Sequence, residues 1–150
     1  MPPALLDTNV LVHAVYRGSE LHDRAARLVD AGLRRAGLYA VAPQNLVEFA
    51  AAVTRPRFVD PPLAPSEAGR MVRVLYDSRR LKKIYPQRGT VVRAIREGAA
   101  AGVTGPAWYD LFLAATMRDC GVRVVITENL GDFARIPFVT ARSIRDVDVA

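Results

Sequence analysis

The sequence predicts an α/β domain with a mostly parallel central sheet. Two observations carry this prediction. Short apolar runs of strand length alternate with longer segments whose apolar residues recur at helical spacing. The length of 150 residues, with 51% hydrophobic and 24% charged side chains, suits one globular domain around one sizeable core. The whole chain, 1–150, therefore reads as a single domain.

Ala4-Leu5-Leu6 is a short buried strand, and Thr8 or Asn9 caps a helix reaching Tyr16. From Glu20 to Arg35 the pattern is amphipathic, with Leu21, Ala25, Leu28, Val29 and Leu33 on one face; Gly37 ends the helix. Leu38 to Ala42 reads as a second buried strand. Pro43 opens a third helix to about Thr54, and Pro56 stops it. Three prolines mark a loop from Arg57 to Pro65. Ser66 caps a helix to about Ser78, and Leu81 to Tyr85 forms a strand. Arg88 to Ala101 is a helix expected to turn Val91, Val92 and Ile95 inward. Gly102 and Gly105 break the chain before Pro106, which opens a helix to about Asp119, closed by Gly121. Val122 to Thr127 is the clearest strand, rich in β-branched residues. A turn over Asn129 to Ala134 leads to a last strand at Phe138-Val139-Thr140, and the chain is expected to fray from about residue 143.

Charge and cysteine content narrow the function classes. The formal net charge is +6, which favours a polyanionic partner such as RNA or DNA. Of the basic residues only Lys82 and Lys83 are lysines, so arginine-rich coding accounts for part of the excess. The run Arg79-Arg80-Leu81-Lys82-Lys83 is read as a solvated face rather than a phosphate track. Cys120 is the single cysteine, which excludes an intrachain disulfide framework or a cysteine-built zinc site. No signal peptide and no run of the ~18 apolar residues a membrane helix needs are visible, so a cytoplasmic location without membrane contact is expected.

Three acids stand alone. Asp7 is the only fixed charge in residues 1–16, Glu48 the only one in 36–54 and Asp110 the only one in 98–117. A carboxylate in so apolar a stretch is costly to bury unless it is paired, hydrogen-bonded or bound to a metal. Asp7 falls at the carboxyl end of the first strand, and Asn129 and Asp132 follow the carboxyl end of the Val122–Thr127 strand. In parallel sheets ligands bind beyond those ends. Glu48 and Asp110 lie on helices that start near the same edge, so the four acids can converge. Oxygen donors without histidine or cysteine suit Mg2+ or Mn2+, one ion or two, and the matching chemistry is phosphodiester hydrolysis. The ordinary alternatives are a helix cap for Asp7, an exposed helix position for Glu48, a favourable first-turn charge for Asp110 and a turn for Asp132. Trp108 is read as packing rather than base stacking, His13 and His22 as structural or surface groups, and Cys120 as a small core residue.

The residues Leu5-Leu6-Asp7-Thr8-Asn9-Val10-Leu11, Asn45-Leu46-Val47-Glu48-Phe49, Tyr109-Asp110-Leu111-Phe112-Leu113-Ala114-Ala115 and Val125-Ile126-Thr127-Glu128-Asn129-Leu130-Gly131-Asp132-Phe133 come in an order that resembles a PIN-domain ribonuclease. Within that superfamily the chain resembles the VapC toxins of toxin–antitoxin pairs. Each motif alone is weakly specific; together they span the chain to about Ile136. The resemblance implies a PIN-like three-layer α/β/α sandwich with a central, mostly parallel sheet of four to five strands. It implies metal-binding or metal-positioning roles for Asp7, Glu48, Asp110 and Asp132. Thr127 and Asn129 are implied to line the site and orient water or phosphate. It further implies endonucleolytic RNA cleavage with Mg2+ or Mn2+, leaving a 5′-phosphate and a 3′-hydroxyl. A homodimer is implied, as is a small antitoxin whose C-terminal segment lies across the groove. One departure is Tyr109, where a histidine is frequent in relatives; this bears on substrate fit.

Competing functions are an RNA-processing or decay nuclease that is not a toxin, and a non-catalytic module that binds RNA or protein. Retention of all four acids disfavours the second. A phosphatase of the Asp-x-Asp type is disfavoured by Asn9 at the second position, and a Rossmann protein by the missing glycine fingerprint.

Overall fold

The computed structural model describes residues 1–149. Five strands form one parallel sheet: β1 (Ala4–Leu6), β2 (Tyr39–Val41), β3 (Lys82–Lys83), β4 (Val124–Ile126) and β5 (Thr140–Arg142), in the order β3-β2-β1-β4-β5. The helices are α1 (Thr8–Val15), α2 (His22–Arg34), α3 (Pro43–Val53), α4 (Pro65–Asp77), α5 (Thr90–Ala101), α6 (Ala107–Asp119) and α7 (Leu130–Ala134). Strand pleating sorts the core into two layers. Leu6, Val41 and Ile126 point into one apolar cluster with Val10, Leu28, Phe49 and Leu75 from α1 to α4. Their neighbours Leu5, Ala40 and Val125 point into the other, with Leu113 and Met117 of α6 and Phe133 of α7. The architecture is the expected three-layer α/β/α sandwich, with every strand pair parallel. No helix among the described residues is long and apolar enough to cross a membrane.

The sheet grows from β1 towards β2 and β3, then resumes on the other side with β4 and β5. The reversal lies between β1 and β4, so the loops leaving these two strands diverge and open a crevice at their carboxyl ends. Asp7 and Thr127 are the first residues past β1 and β4, and register holds them side by side, with Leu6 opposite Ile126.

Five expectations need correction. The helix α5 has the opposite phase to that expected: Thr90, Ala94 and Gly98 face inward, while Val91, Val92 and Ile95 are more than half exposed. The reason is close packing on α6. A Cβ added at Gly98 would stand 2.4 Å from a ring carbon of Trp108 and 2.9 Å from Leu111, so only a small-residue face fits there. Trp108 is thereby a packing residue. The chain end does not fray from residue 143: Ile144 is fully buried in a 3-10 turn spanning Ile144–Asp146, and Val147 and Val149 pack on the same core. The carboxylate of Glu128 fixes this turn by accepting from Ser143 Oγ at 2.8 Å and Ile144 N at 2.7 Å. The last strand lies two residues later than expected, at Thr140–Arg142, and the turn after β4 is the short helix α7. The cap of α1 is Asp7, not Thr8 or Asn9, and α4 starts at Pro65, ahead of Ser66.

Candidate functional site

Asp7 ends β1 and caps α1, and both of its oxygens are held. Oδ1 accepts from Thr8 N at 2.8 Å and from Asn45 Nδ2 at 3.5 Å. Oδ2 accepts from Thr127 Oγ1 at 2.7 Å and Asn9 Nδ2 at 3.1 Å. The side chain is 7% exposed. Burial outweighs these donors and, with the nearby charge of Glu48, holds the pKa of Asp7 above the usual aspartate range. The cap and the site are therefore one residue doing both.

Thr127 stands behind Asp7 rather than on the cavity wall. It is fully buried, donates its hydroxyl proton to Asp7, and accepts from Asn9 Nδ2 and Asn129 N, each at 3.0 Å. That proton is unavailable to a water or a phosphate, so Thr127 acts through Asp7. Asn129 itself is exposed and lines the cavity.

Glu48 lies one turn into α3. Its Oε2 accepts from Thr8 Oγ1 at 2.9 Å and its Oε1 from Gln44 Nε2 at 2.8 Å. The helix is placed by Asn45, which is fully buried. Asn45 Oδ1 accepts from Ala42 N at 2.9 Å and fixes the β2–α3 joint, while its Nδ2 turns back to Asp7 and to Thr8 Oγ1. Asn9, Thr8, Gln44 and Asn45 thus build the site as much as the acids do. The signal available in the sequence was an unpaired asparagine in an apolar strand-to-helix joint, where an unsatisfied amide would be costly.

Asp110 sits in the first turn of α6 and faces the other acids. Its pKa is raised to about 6, first by burial and then by the negative charges of Asp132, Asp7 and Glu48, with no hydrogen bond opposing the shift. Asp7, Glu48, Asp110 and Asn129 all line one cavity of about 490 Å3. Asp132, in the first turn of α7, is close enough to influence Asp110 but is exposed and lines a separate hollow with Arg118 and Arg135.

Among the described residues, none of the five ion pairs involves Asp7, Glu48, Asp110 or Asp132. Nor do three His, Cys, Asp or Glu side chains stand close enough to cage an ion by themselves. The donor set still fits a hard divalent cation. Mg2+ is usually held by one or two carboxylates with waters completing its shell, and mutually repelling acids without a basic partner have a counter-charge to gain. Asp7, Glu48 and Asp110 line the cavity and are the carboxylates that could hold it.

A family model described as the PIN domain matches residues 4–139. The chain is 28% identical over 119 residues to Ribonuclease VapC48 of Mycobacterium tuberculosis, covering 79% of this chain and 82% of that protein. Among solved structures it is similar to Mycobacterium tuberculosis VapC20, a toxin that cleaves the sarcin-ricin loop. The TM-score is 0.67 at 17% identity, over 91% of this chain and 96% of that one. It is similar also to DNA-bound VapBC from Salmonella typhimurium, with a TM-score of 0.65 at 22% identity over 96% and 99% of the two chains. These identities speak to the fold, and the family match to ancestry: the chain belongs to the PIN domain family.

Proposed function

We propose that this protein is a Mg2+- or Mn2+-dependent endoribonuclease and the toxin of a toxin–antitoxin pair, acting in the cytoplasm. The observation that carries the reading is the convergence of Asp7, Glu48 and Asp110 on one cavity, none of them in an ion pair among the described residues. The family match and the relative named as a ribonuclease support it. A bound divalent ion would supply a nucleophilic water and offset charge on the scissile phosphate. Asp7 is held in one orientation by four donors and would offer that ion a fixed carboxylate. Glu48 is oriented by Thr8 and Gln44, and Asp110, half-buried without a hydrogen bond, is the carboxylate freest to adjust. Asp132 tunes Asp110 from outside the cavity, and Asn129, which lines the cavity, would orient the phosphate.

Solved relatives that pair a toxin with an antitoxin support a small protein partner for this chain. The exposed aliphatic face of α5 supports a homodimer, since such a face gains from being covered. The test is cleavage of single-stranded RNA with Mg2+, with EDTA and by Asp7→Asn. Cleavage is expected only in the first case, and equal cleavage in all three ends the assignment. For the toxin reading, induced expression in bacteria is expected to arrest growth and Asp110→Ala to relieve the arrest. Normal growth with well-folded wild-type protein points to a housekeeping nuclease.

A further inference from the structure

The acidic cavity does not stop at the acids. Beyond them its walls are Val12, His13, Tyr16 and Ser19 along α1 and just after it, Ala52 of α3, and Phe58. Phe58 is 48% exposed, and slack in the chain is not the cause. Phe58 N and Val59 N both donate to Arg55 O, at 3.1 and 3.2 Å, and Leu63 N donates to Val53 O at 2.8 Å. The next residue, Val59, is buried in the core. The loop is thus pinned on both sides of a phenylalanine that it holds out at the cavity rim.

Two guanidinium groups accompany that ring. The Arg55 and Arg57 Cζ atoms lie 5.4 and 5.8 Å from the Phe58 ring centroid. Among the described residues neither arginine is in an ion pair. An exposed aromatic with two unpaired cations is a poor surface for a core but a good one for a polynucleotide. Bases stack on aromatic rings and phosphates pair with arginine. An acid-lined cavity by itself repels RNA, so positive charge at its rim has an evident use.

We propose that Arg55, Arg57 and Phe58 form a subsite for a nucleotide flanking the scissile phosphate of single-stranded RNA. The base packs on Phe58, and a neighbouring phosphate lies on the two guanidinium groups. The volume of about 490 Å3 lies within the range of pockets that enclose small organic ligands. The proposal rests on the endoribonuclease reading and deepens it: the acids cut, and this rim selects and holds what is cut.

The experiment measures fluorescence anisotropy of a labelled single-stranded RNA dodecamer with Ca2+ in place of Mg2+, alongside steady-state cleavage with Mg2+. Phe58→Ala is expected to weaken binding ~10-fold, the loss of one stacked base, and to raise KM more than it lowers kcat. Phe58→Trp is expected to retain affinity. The double variant Arg55→Ala/Arg57→Ala is expected to flatten the dependence of log Kd on log salt by ~0.7, one phosphate contact's worth on a single strand. Because Phe58 is exposed, all three variants should unfold thermally as the wild type does.

Variants that match the wild type in affinity, KM and salt slope, while the wild type cleaves RNA, overturn this subsite and leave the nuclease reading standing. A wild type that binds RNA through Phe58 yet never cleaves it overturns the nuclease reading and keeps the subsite as a binding site. A Phe58→Ala protein that holds RNA normally but loses a co-expressed small partner protein assigns the loop to protein contact and overturns the proposal. No binding and no cleavage by the wild type overturns both.

Discussion

The two halves of the acidic cavity are built on opposite principles. On the β1 side Asp7 is nearly buried and accepts from Thr8 N, Thr127, Asn9 and Asn45. On the α6 side Asp110 is half-buried, and its environment consists of burial and three negative charges. Neutral donors fix the first carboxylate in place, whereas the second is held in an electrostatic conflict that only a proton or a cation resolves. The difference teaches that position and charge hunger are assigned to different residues. On the proposed metal-dependent reading, one half would set where an ion sits, and the other would make the ion worth binding.

If this division is right, removing either carboxylate stops cleavage, but the supporting residues differ in what they cost. The largest effect is expected for Asp110→Ala, with RNA cleavage falling by at least ~100-fold, beyond what loss of an outer partner of a metal ligand usually causes. Next comes Thr127→Val, which keeps the shape but removes the 2.7 Å donor from Asp7. Activity is expected to drop ~10- to 100-fold, with a loss of ~1–2 kcal/mol in urea unfolding. Wild-type activity in Thr127→Val would break the claim that Asp7 must be fixed.

Metal and pH address the other half. Mg2+ at ~100 times its Kd is expected to stabilise the wild type by ~2.7 kcal/mol, and Asp110→Asn is expected to lose most of that gain. Without metal, the sign reverses. The folded pKa of Asp110 is raised to about 6 from an ordinary 3.8, so the folded state binds more protons than the unfolded state between those values. Its contribution to stability therefore falls as pH rises from about 3.8 to about 6, and stays unfavourable above. Metal-free Asp110→Asn should accordingly be more stable than the wild type at pH 7.5, by ~1 kcal/mol after allowing for solvent screening of a half-exposed group. That is ~2–4 °C in Tm, and the gain should vanish below pH 4. The smallest effect is expected for Gln44→Ala, which removes a 2.8 Å hydrogen bond to Glu48 at ~1 kcal/mol and a several-fold loss of kcat/KM. An equal change for Gln44→Ala and Thr127→Val would erase the distinction between the buried and the open half.

The fold was legible because its determinants are local. Strand runs ending in Asp7 and Thr127, and a proline at the start of α3, announce themselves in a few residues. The lone acids were legible for a related reason, since a single charge in an apolar stretch is costly unless something compensates it. What stayed hidden depends on contacts between distant segments. The phase of α5 is decided by Trp108 lying against Gly98, so three aliphatics that look like a core stripe face outward. The role of Thr127 is set by a bond to a residue 120 positions earlier. No pattern in the residues around it distinguishes a hydroxyl that touches substrate from one that touches Asp7. Asn45 looked like part of a motif and proved to be a strut, because its work is done by a fully buried side chain reaching back to β1.

Glu128 joins the crevice to the far end of the polypeptide. Its backbone N–H donates to Asn9 Oδ1 at 3.1 Å, while its carboxylate clasps Ser143 and Ile144. A gene trimmed at residue 139, where the family match stops, would delete both clasped groups along with Arg142, whose carbonyl accepts from Thr127 N. Such a truncation would look harmless on a domain diagram. It would strip the support from the loop that carries Thr127 and Asn129, so residues 140–149 are better regarded as a hidden foundation of the acid-lined crevice than as a disposable end.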